Sequence, residues 1–211
     1  MKIYFLFSAL SKRDNMKTNF IAEGAEAKIF FSKIFGKKYI LKKRIPKLYR
    51  AKELDKSILS RRIKSEVRNL SLAKNAKVNC PFVYYSDNYN ILMEYIPYIE
   101  AKSIVKSNPT ILKNIANDVF KLHRNNIIHG DLTLCNILFD PHRKIPYFID
   151  FGLSFVSTKL EDKATDLEVL REITVADFGL KYWAVFEKEY QKESPEVIKY
   201  MEKIQKRKKY L

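Results

Sequence analysis

A carboxylate at Asp131 within His129-Gly130-Asp131, a carboxamide five residues on at Asn136 and a second carboxylate at Asp150 within Asp150-Phe151-Gly152 form an ordered set of oxygen ligands. Such a set suits phosphoryl transfer. The transition state of that reaction spreads negative charge over its oxygens, so a protein must supply metal ions, a cation for the bound phosphates and a carboxylate near the attacking hydroxyl. Asp131 on a loop can accept a hydroxyl proton or orient the hydroxyl, while Asn136 offers Mg2+ a neutral oxygen and Asp150 a charged one. Any one of these aspartates alone reads better as a turn or cap residue. All three side chains in this order, each beside an apolar β-type run, favour the metal site.

The elements that must hold them are legible nearby. Ile127-Ile128 before the loop, Ile137-Leu138-Phe139 after it and Tyr147-Phe148-Ile149 ahead of Asp150 read as short buried strands that keep the ligands rigid. From Pro109 to Asn125 the residues Ile111, Ile115, Val119 and Leu122 recur on one side of a helix, with Asn108 as its cap and Pro109 as its first position. That helix carries the loop. His123 at its end, and His129 itself, read as structural histidines that pack and hydrogen-bond rather than carry protons. Upstream, the stretch from Ile21 to Leu41 reads as hairpin material, with a tight turn at Gly24, a strand at Ile29-Phe30-Phe31, a turn at Phe35-Gly36-Lys37-Lys38 and a returning strand that Lys42 ends. A helix from about Ala51 to Ala76 shows a stripe of Ile63, Val67, Leu70 and Ala73, with Glu66 beside it. Glu66 is a candidate partner for a phosphate-holding ammonium, or else an ordinary surface pair with Arg62 four residues earlier.

Five segments together resemble the atypical small serine/threonine kinase of the KEOPS/EKC complex, the PRPK family of the protein-kinase-like superfamily. They are Glu23-Gly24-Ala25-Glu26-Ala27, Lys42-Lys43-Arg44-Ile45-Pro46-Lys47-Leu48-Tyr49-Arg50, His129-Gly130-Asp131-Leu132-Thr133, Ile149-Asp150-Phe151-Gly152-Leu153-Ser154 and Glu161-Asp162-Lys163-Ala164-Thr165-Asp166-Leu167. The second and last are the most specific, being unexpected in aminoglycoside, choline or RIO kinases. The resemblance runs from about Phe20 to the C-terminus.

What the resemblance implies is an α+β, minimal bilobal protein-kinase-like fold. An N-terminal extension over residues 1–19 would precede an N-lobe over 20–96, made of a β-sheet and the long helix, and a mainly helical C-lobe over 97–211 would end in a basic tail. ATP and Mg2+ would be the ligands, with Asn136 and Asp150 on the metal and Asp131 on the hydroxyl. Lys42, rather than its neighbour Lys43, would hold the phosphates and be fixed by Glu66. Gly24, Ala25 and Glu26 would cover the phosphates, although a single glycine in a hairpin is ordinarily just a turn. Ile29, Ile40, Met93 and Leu138 would sandwich the adenine ring, with the backbones of Glu94 and Ile96 at its edge; the four apolar residues read equally as plain core. Asp166 would hydrogen-bond the His129-Gly130 backbone, its rival reading being a helical surface acid.

The chain also departs from the family pattern. Ala51-Lys52 stands where His-Pro is expected, Leu134-Cys135 replaces Thr-Ser, and Val175-Ala176-Asp177 replaces Ser-Thr-His. None of these removes a metal or phosphate ligand; they bear on substrate recognition and docking. The tail Gln205-Lys206-Arg207-Lys208-Lys209 keeps the charge of the family's Arg-Gly-Arg ending and loses its glycine. Gly130 stands where related kinases carry an arginine that clamps a phosphorylated loop. Only about a dozen residues separate Asp150 from Glu161, too few for a long activation segment. Activity is therefore expected not to depend on phosphorylation between Ser154 and Thr158.

Charge is the second signal: 40 Lys and Arg against 24 Asp and Glu give a formal +16. Thirteen Lys and Arg lie between Lys33 and Lys64 against Glu53 and Asp55, and six between Lys199 and Leu211 against Glu202. Runs of charge usually mark a solvated face, but two like-signed clusters on a small domain attract polyanions with salt-dependent affinity. The resemblance names that polyanion as tRNA. It names the partners as KEOPS/EKC subunits, chiefly the ATPase-like threonylcarbamoyl transferase subunit and a small regulatory subunit. Two cysteines are too few for a disulfide framework or a zinc site, and Cys135 reads as a small filler. The apolar run Ile3-Tyr4-Phe5-Leu6-Phe7 is too short to span a membrane and lacks a cleavage site after it. The expected location is the cytoplasm, and also the nucleus in a eukaryote. The function expected is an ATP-Mg-dependent serine/threonine kinase or ATPase that supports threonylcarbamoyladenosine formation on tRNA; the alternative is a nucleotide- and tRNA-binding scaffold without phosphotransfer. A small-molecule kinase would need an acceptor-binding insertion for which the chain has no spare length.

Overall fold

The computed structural model describes residues 17–24, 27–47 and 49–208. The chain divides into two compact units, Met1–Arg68 with Pro81–Ile96, and Asn69–Cys80 with Pro97–Leu211. An antiparallel sheet comes first and a mainly helical part follows, the α+β order expected. Among the described residues no helix is long and apolar enough to cross a membrane.

The first unit contains strands β1 (Lys17–Glu23), β2 (Ala27–Ile34), β3 (Lys37–Arg44), β4 (Val83–Ser86) and β5 (Asn90–Glu94), in the order β1-β2-β3-β5-β4. β1 already includes Lys17 to Asn19, so the expected N-terminal extension gives up its last three residues to the sheet. Between β2 and β3 both Phe35 (φ 48°) and Gly36 (φ 78°) are left-handed. A two-residue turn of this kind matches the twist of antiparallel strands. Alternation then sorts side chains to the two faces. Leu41 and Leu92 join Ile34 in one cluster, while Ile91 and Met93 pack with Ile63 in another. Ile63 lies on helix α1 (Lys52–Asn75), which has no glycine or proline, carries Glu53 and Asp55 in its first turn and buries Leu59, Ile63, Leu70 and Ala73 along one stripe. β3 does not end at Lys42 as expected but continues to Arg44, because the ladder with β2 extends to the pair Ala27 and Arg44.

The second unit is built on helices α2 (Ala101–Val105), α3 (Ile111–Arg124), α4 (Leu160–Phe178), α5 (Leu180–Tyr190) and α6 (Pro195–Lys208). Two small sheets carry the loops: β6 (Ile99–Glu100), β8 (Ile137–Asp140) and β9 (Ile145–Phe148) in the order β6-β8-β9, and β7 (Ile127–Ile128) with β10 (Phe155–Val156). Ile111, Ile115, Val119 and Leu122 of α3 are all buried. The helix starts at Ile111, two residues later than expected. Thr110 occupies the cap position with helical dihedrals and no side-chain cap, and its hydroxyl donates to Asn108 Oδ1 instead. The first bonds run three residues back, from Ile111 to Asn108 and from Leu112 to Pro109, so this entry turn is tightened.

Candidate functional site

Register places the ligands of the second unit. β8 and β9 pair Ile137 with Phe148, and the Ile149 N–H donates to the Asn136 carbonyl at 2.9 Å. Asn136 is thus bonded, at one end of this ladder, to the residue before Asp150. Asn136 ends a short 3-10 turn whose Thr133 Oγ1 accepts its N–H, anchored by fully buried Leu132 and Leu134. Its amide nitrogen donates both to the main-chain oxygen of Asp131 (2.9 Å) and to Asp131 Oδ2 (2.8 Å). With both amide protons committed, Oδ1 is the acceptor Asn136 has to offer. Asp150 is exposed and left-handed (φ 57°, ψ 70°), and its Oδ1 accepts the Gly152 N–H at 3.1 Å. Aspartate tolerates that conformation because its short side chain bonds locally, as it does here.

The loop bearing Asp131 is gripped from below. Asp166 on α4 is 2% exposed, and its carboxylate accepts the N–H groups of His129 and Gly130 at 2.9 Å each, so it is no surface acid. His123 Nε2 donates to the same carboxylate at 3.1 Å, with its Nδ1 2.8 Å from the Tyr190 hydroxyl. Burial pushes the Asp166 carboxyl up, but the hydrogen bond and charge of His123, together with the His129 ring and N–H, outweigh it. The net result holds Asp166 below the ordinary carboxylate value. His129 Nε2 donates to the Ile149 carbonyl at 3.1 Å, and its ring lies 4.9 Å from that of Phe151. Its Nδ1 is buried without a hydrogen-bond partner. Both histidines are thus structural, as their positions suggested.

Gly130 has a reason beyond the missing arginine. Its φ is +79°, and a Cβ there would come within 2.8 Å of the Leu153 carbonyl carbon and closer still to its oxygen. Only glycine lets the loop lie against the segment that follows Asp150. That segment has a further tie: Asn69, 2% exposed, donates through Nδ2 to both the Ser154 carbonyl and Ser154 Oγ at 2.8 Å. Cys135 is half-buried, and burial foremost pushes its thiol up, which agrees with a filler rather than a reactive thiolate.

In the first unit Lys42 Nζ donates to Glu66 Oε1 at 2.7 Å, and Arg44 Nη2 donates to Glu66 Oε2 at 2.6 Å. All three are buried, at 6%, 2% and 1% exposure, so Glu66 is no surface partner of Arg62. Arg44 was not anticipated, although residues two apart on a strand share a face and the Lys-Lys-Arg run offered that signal. Arg50 is similarly engaged, with Asp55 at 3.3 Å. Part of the basic cluster is thus internal structure rather than free surface charge. Of the residues expected around adenine, Ile40 and Met93 are cross-strand partners in the cluster with Ile63, which supports their core reading. Ile29 is half-buried on β2 and Ile96 is buried past the end of β5. Leu138 lies half-buried on β8 in the second unit. Glu94 donates its N–H to the Phe82 carbonyl and accepts the Phe82 N–H through its carboxylate, so its N–H is committed within the first unit. The Gly24 N–H closes a turn onto the Ala27 carbonyl, and a side chain would fit there; Ala25 and Glu26 lie outside the described residues.

The donor set suits Mg2+. Among the described residues no three His, Cys, Asp or Glu side chains assemble as a metal cage. One carboxylate and one amide oxygen at Asp150 and Asn136, with phosphate oxygens and water completing the shell, are the ligands this hard cation prefers.

These elements define a minimal protein-kinase-like fold. It matches the crystal structure of the Rio2 kinase-ADP/Mg2+-phosphoaspartate complex from Chaetomium thermophilum, with a TM-score of 0.69 over 99% of this chain and 75% of that one, at 13% identity. The RIO domain family matches residues 26–173. The "EKC/KEOPS complex subunit bud32" of Dictyostelium discoideum is 38% identical over 168 residues, 74% of this chain and 67% of that protein. A Methanocaldococcus jannaschii protein named "Probable bifunctional tRNA threonylcarbamoyladenosine biosynthesis protein" is 36% identical over 179 residues, which cover 84% of this chain but only 33% of that protein. The chain belongs to the RIO-domain family and, within it, to the small kinase-like subunits of the KEOPS/EKC type. The RIO domain match takes in both the Lys42–Arg50 and Glu161–Leu167 stretches.

Proposed function

We propose that the chain is an ATP- and Mg2+-dependent phosphotransferase or ATPase, acting as a subunit of a KEOPS/EKC-type complex that forms threonylcarbamoyladenosine on tRNA. The carrying observation is the bond from Asn136 to Asp131, which commits both amide protons and leaves the neutral Oδ1 as the atom a metal would take. Bound Mg2+ would neutralise charge on the terminal phosphates. Asn136 Oδ1 and the Asp150 carboxylate would hold it. Asp131, kept in place by Asn136, would orient a serine or threonine hydroxyl or a water and take its proton. Lys42, fixed by Glu66, would hold the α- and β-phosphates. Asp166 would keep the loop backbone still while charge develops, so that little reorganisation is needed. The names of the Dictyostelium and Methanocaldococcus relatives support the tRNA setting and membership of such a complex, in which the partners would be an ATPase-like transferase and a small regulatory subunit. The basic residues of α6, Lys199, Lys203, Lys206 and Arg207, support contact with tRNA phosphates.

The test follows γ-labelled ATP with the purified chain, with and without partner subunits and tRNA. Label in protein or as free phosphate, lost on Asp131→Ala, upholds the reading. Equal tRNA modification by the Asp131→Ala complex, with no turnover by the wild type, leaves the scaffold in its place.

A further inference from the structure

Asp150 is left-handed, with its own Oδ1 accepting the Gly152 N–H, and the turn that follows it must be held for that geometry to persist. The turn it opens, Phe151–Leu153, is closed by Ser154, whose N–H and hydroxyl both donate to the Phe151 carbonyl, at 3.2 Å and 2.6 Å. Ser154 is in turn held by Asn69, whose amide donates to its carbonyl and its hydroxyl oxygen. Asn69 and Ser154 are 2% and 6% exposed, so these bonds do not compete with water. The result is one buried chain of donors, from the Asn69 amide through the Ser154 hydroxyl to the Phe151 carbonyl, ending one residue from a metal ligand. We propose that Asn69 is a positioning residue for Asp150, locking the turn after the metal ligand in the place where related kinases use a phosphorylated loop. The proposal rests on the nucleotide–metal reading of Asp150.

It also gives a physical basis for activity without loop phosphorylation. The Ser154 hydroxyl is already engaged as both acceptor and donor in the interior, so a phosphate there would break the lock instead of making one.

The experiment is calorimetric titration of the full chain with ADP, once in MgCl2 and once in EDTA. Asn69→Leu should weaken ADP binding about tenfold in MgCl2 and less than about twofold in EDTA, the effect of losing a buried hydrogen bond on the metal side alone. Ser154→Ala keeps the Asn69 bond to the main-chain carbonyl and should show a smaller loss of the same kind, about threefold. If Asn69→Leu does not fold, Ser154→Ala decides. Equal losses in both buffers, or no loss in MgCl2, overturn the proposal while the wild type keeps its Mg2+-dependent binding. A wild type whose ADP binding ignores Mg2+ overturns the nucleotide–metal reading and this proposal with it.

Discussion

Gly130 and Gly36 make a controlled pair. Both are left-handed, at φ +79° and +78°, but a Cβ at Gly130 would run into the Leu153 backbone while one at Gly36 would meet nothing within 4 Å. Alanine at either position takes on the left-handed penalty of about 1–2 kcal/mol, less about 0.4–1 kcal/mol regained because the unfolded chain loses freedom. Gly36→Ala should therefore cost about 1 kcal/mol net. Gly130→Ala should add about 1–3 kcal/mol more, because the obstacle is main chain and cannot rotate away. For a chain of this size each kcal/mol lowers the melting temperature by about 2–4 °C, so Gly36→Ala should melt about 2–4 °C below wild type and Gly130→Ala about 5–15 °C below. Scanning calorimetry on the three proteins in one buffer reads this directly. If the two variants melt within about 1 °C of each other, the close approach of the loop to Leu153 does not exist in solution and its steric role is refuted.

Three further outcomes follow from the geometry. Glu66→Ala removes the carboxylate bonded to two buried cations, Lys42 and Arg44, and should cost about 3–5 kcal/mol in urea unfolding; a cost below about 1 kcal/mol would mean the three side chains are not buried together. Asp166, with its carboxyl held below the ordinary value of about 3.9, contributes stability that is present above that value and fades as pH falls through the lower folded value. Asp166→Asn should accordingly be less stable than wild type by about 1–3 kcal/mol at pH 7, with the gap closing below about pH 4 in an acid titration followed by circular dichroism; a gap that does not depend on pH would contradict the depressed carboxyl. Because Gln205 donates to buried Glu168 and Arg207 pairs with Glu161, deleting the whole tail would also disturb α4, so charge reversal at the exposed Lys199 and Lys206 is the cleaner probe. It should lower tRNA affinity and reduce the slope of log affinity against log salt by about 1–2, and an unchanged slope would remove this part of α6 from the tRNA contact.

The candidate site was legible as a set of residue types at short range. Asp131, Asn136 and Asp150 lie between apolar runs that read as strands, and the stripe of Ile63, Leu70 and Ala73 marked its helix by period. Element ends were less legible: β3 reaches Arg44 through its ladder with β2, and α3 begins at Ile111 because Thr110 bonds to Asn108 instead of capping. What only the tertiary structure decided was the set of distant partners. Arg44 shares Glu66 across 22 positions, Asp166 reaches Gly130 across 36, and Asn69 reaches Ser154 across 85. Local sequence carries periodicity and ligand chemistry, whereas burial and polar pairing arise only when separate segments exclude water together; that is why Asn69, an unremarkable amide on a helix, gains its partner only in the folded chain.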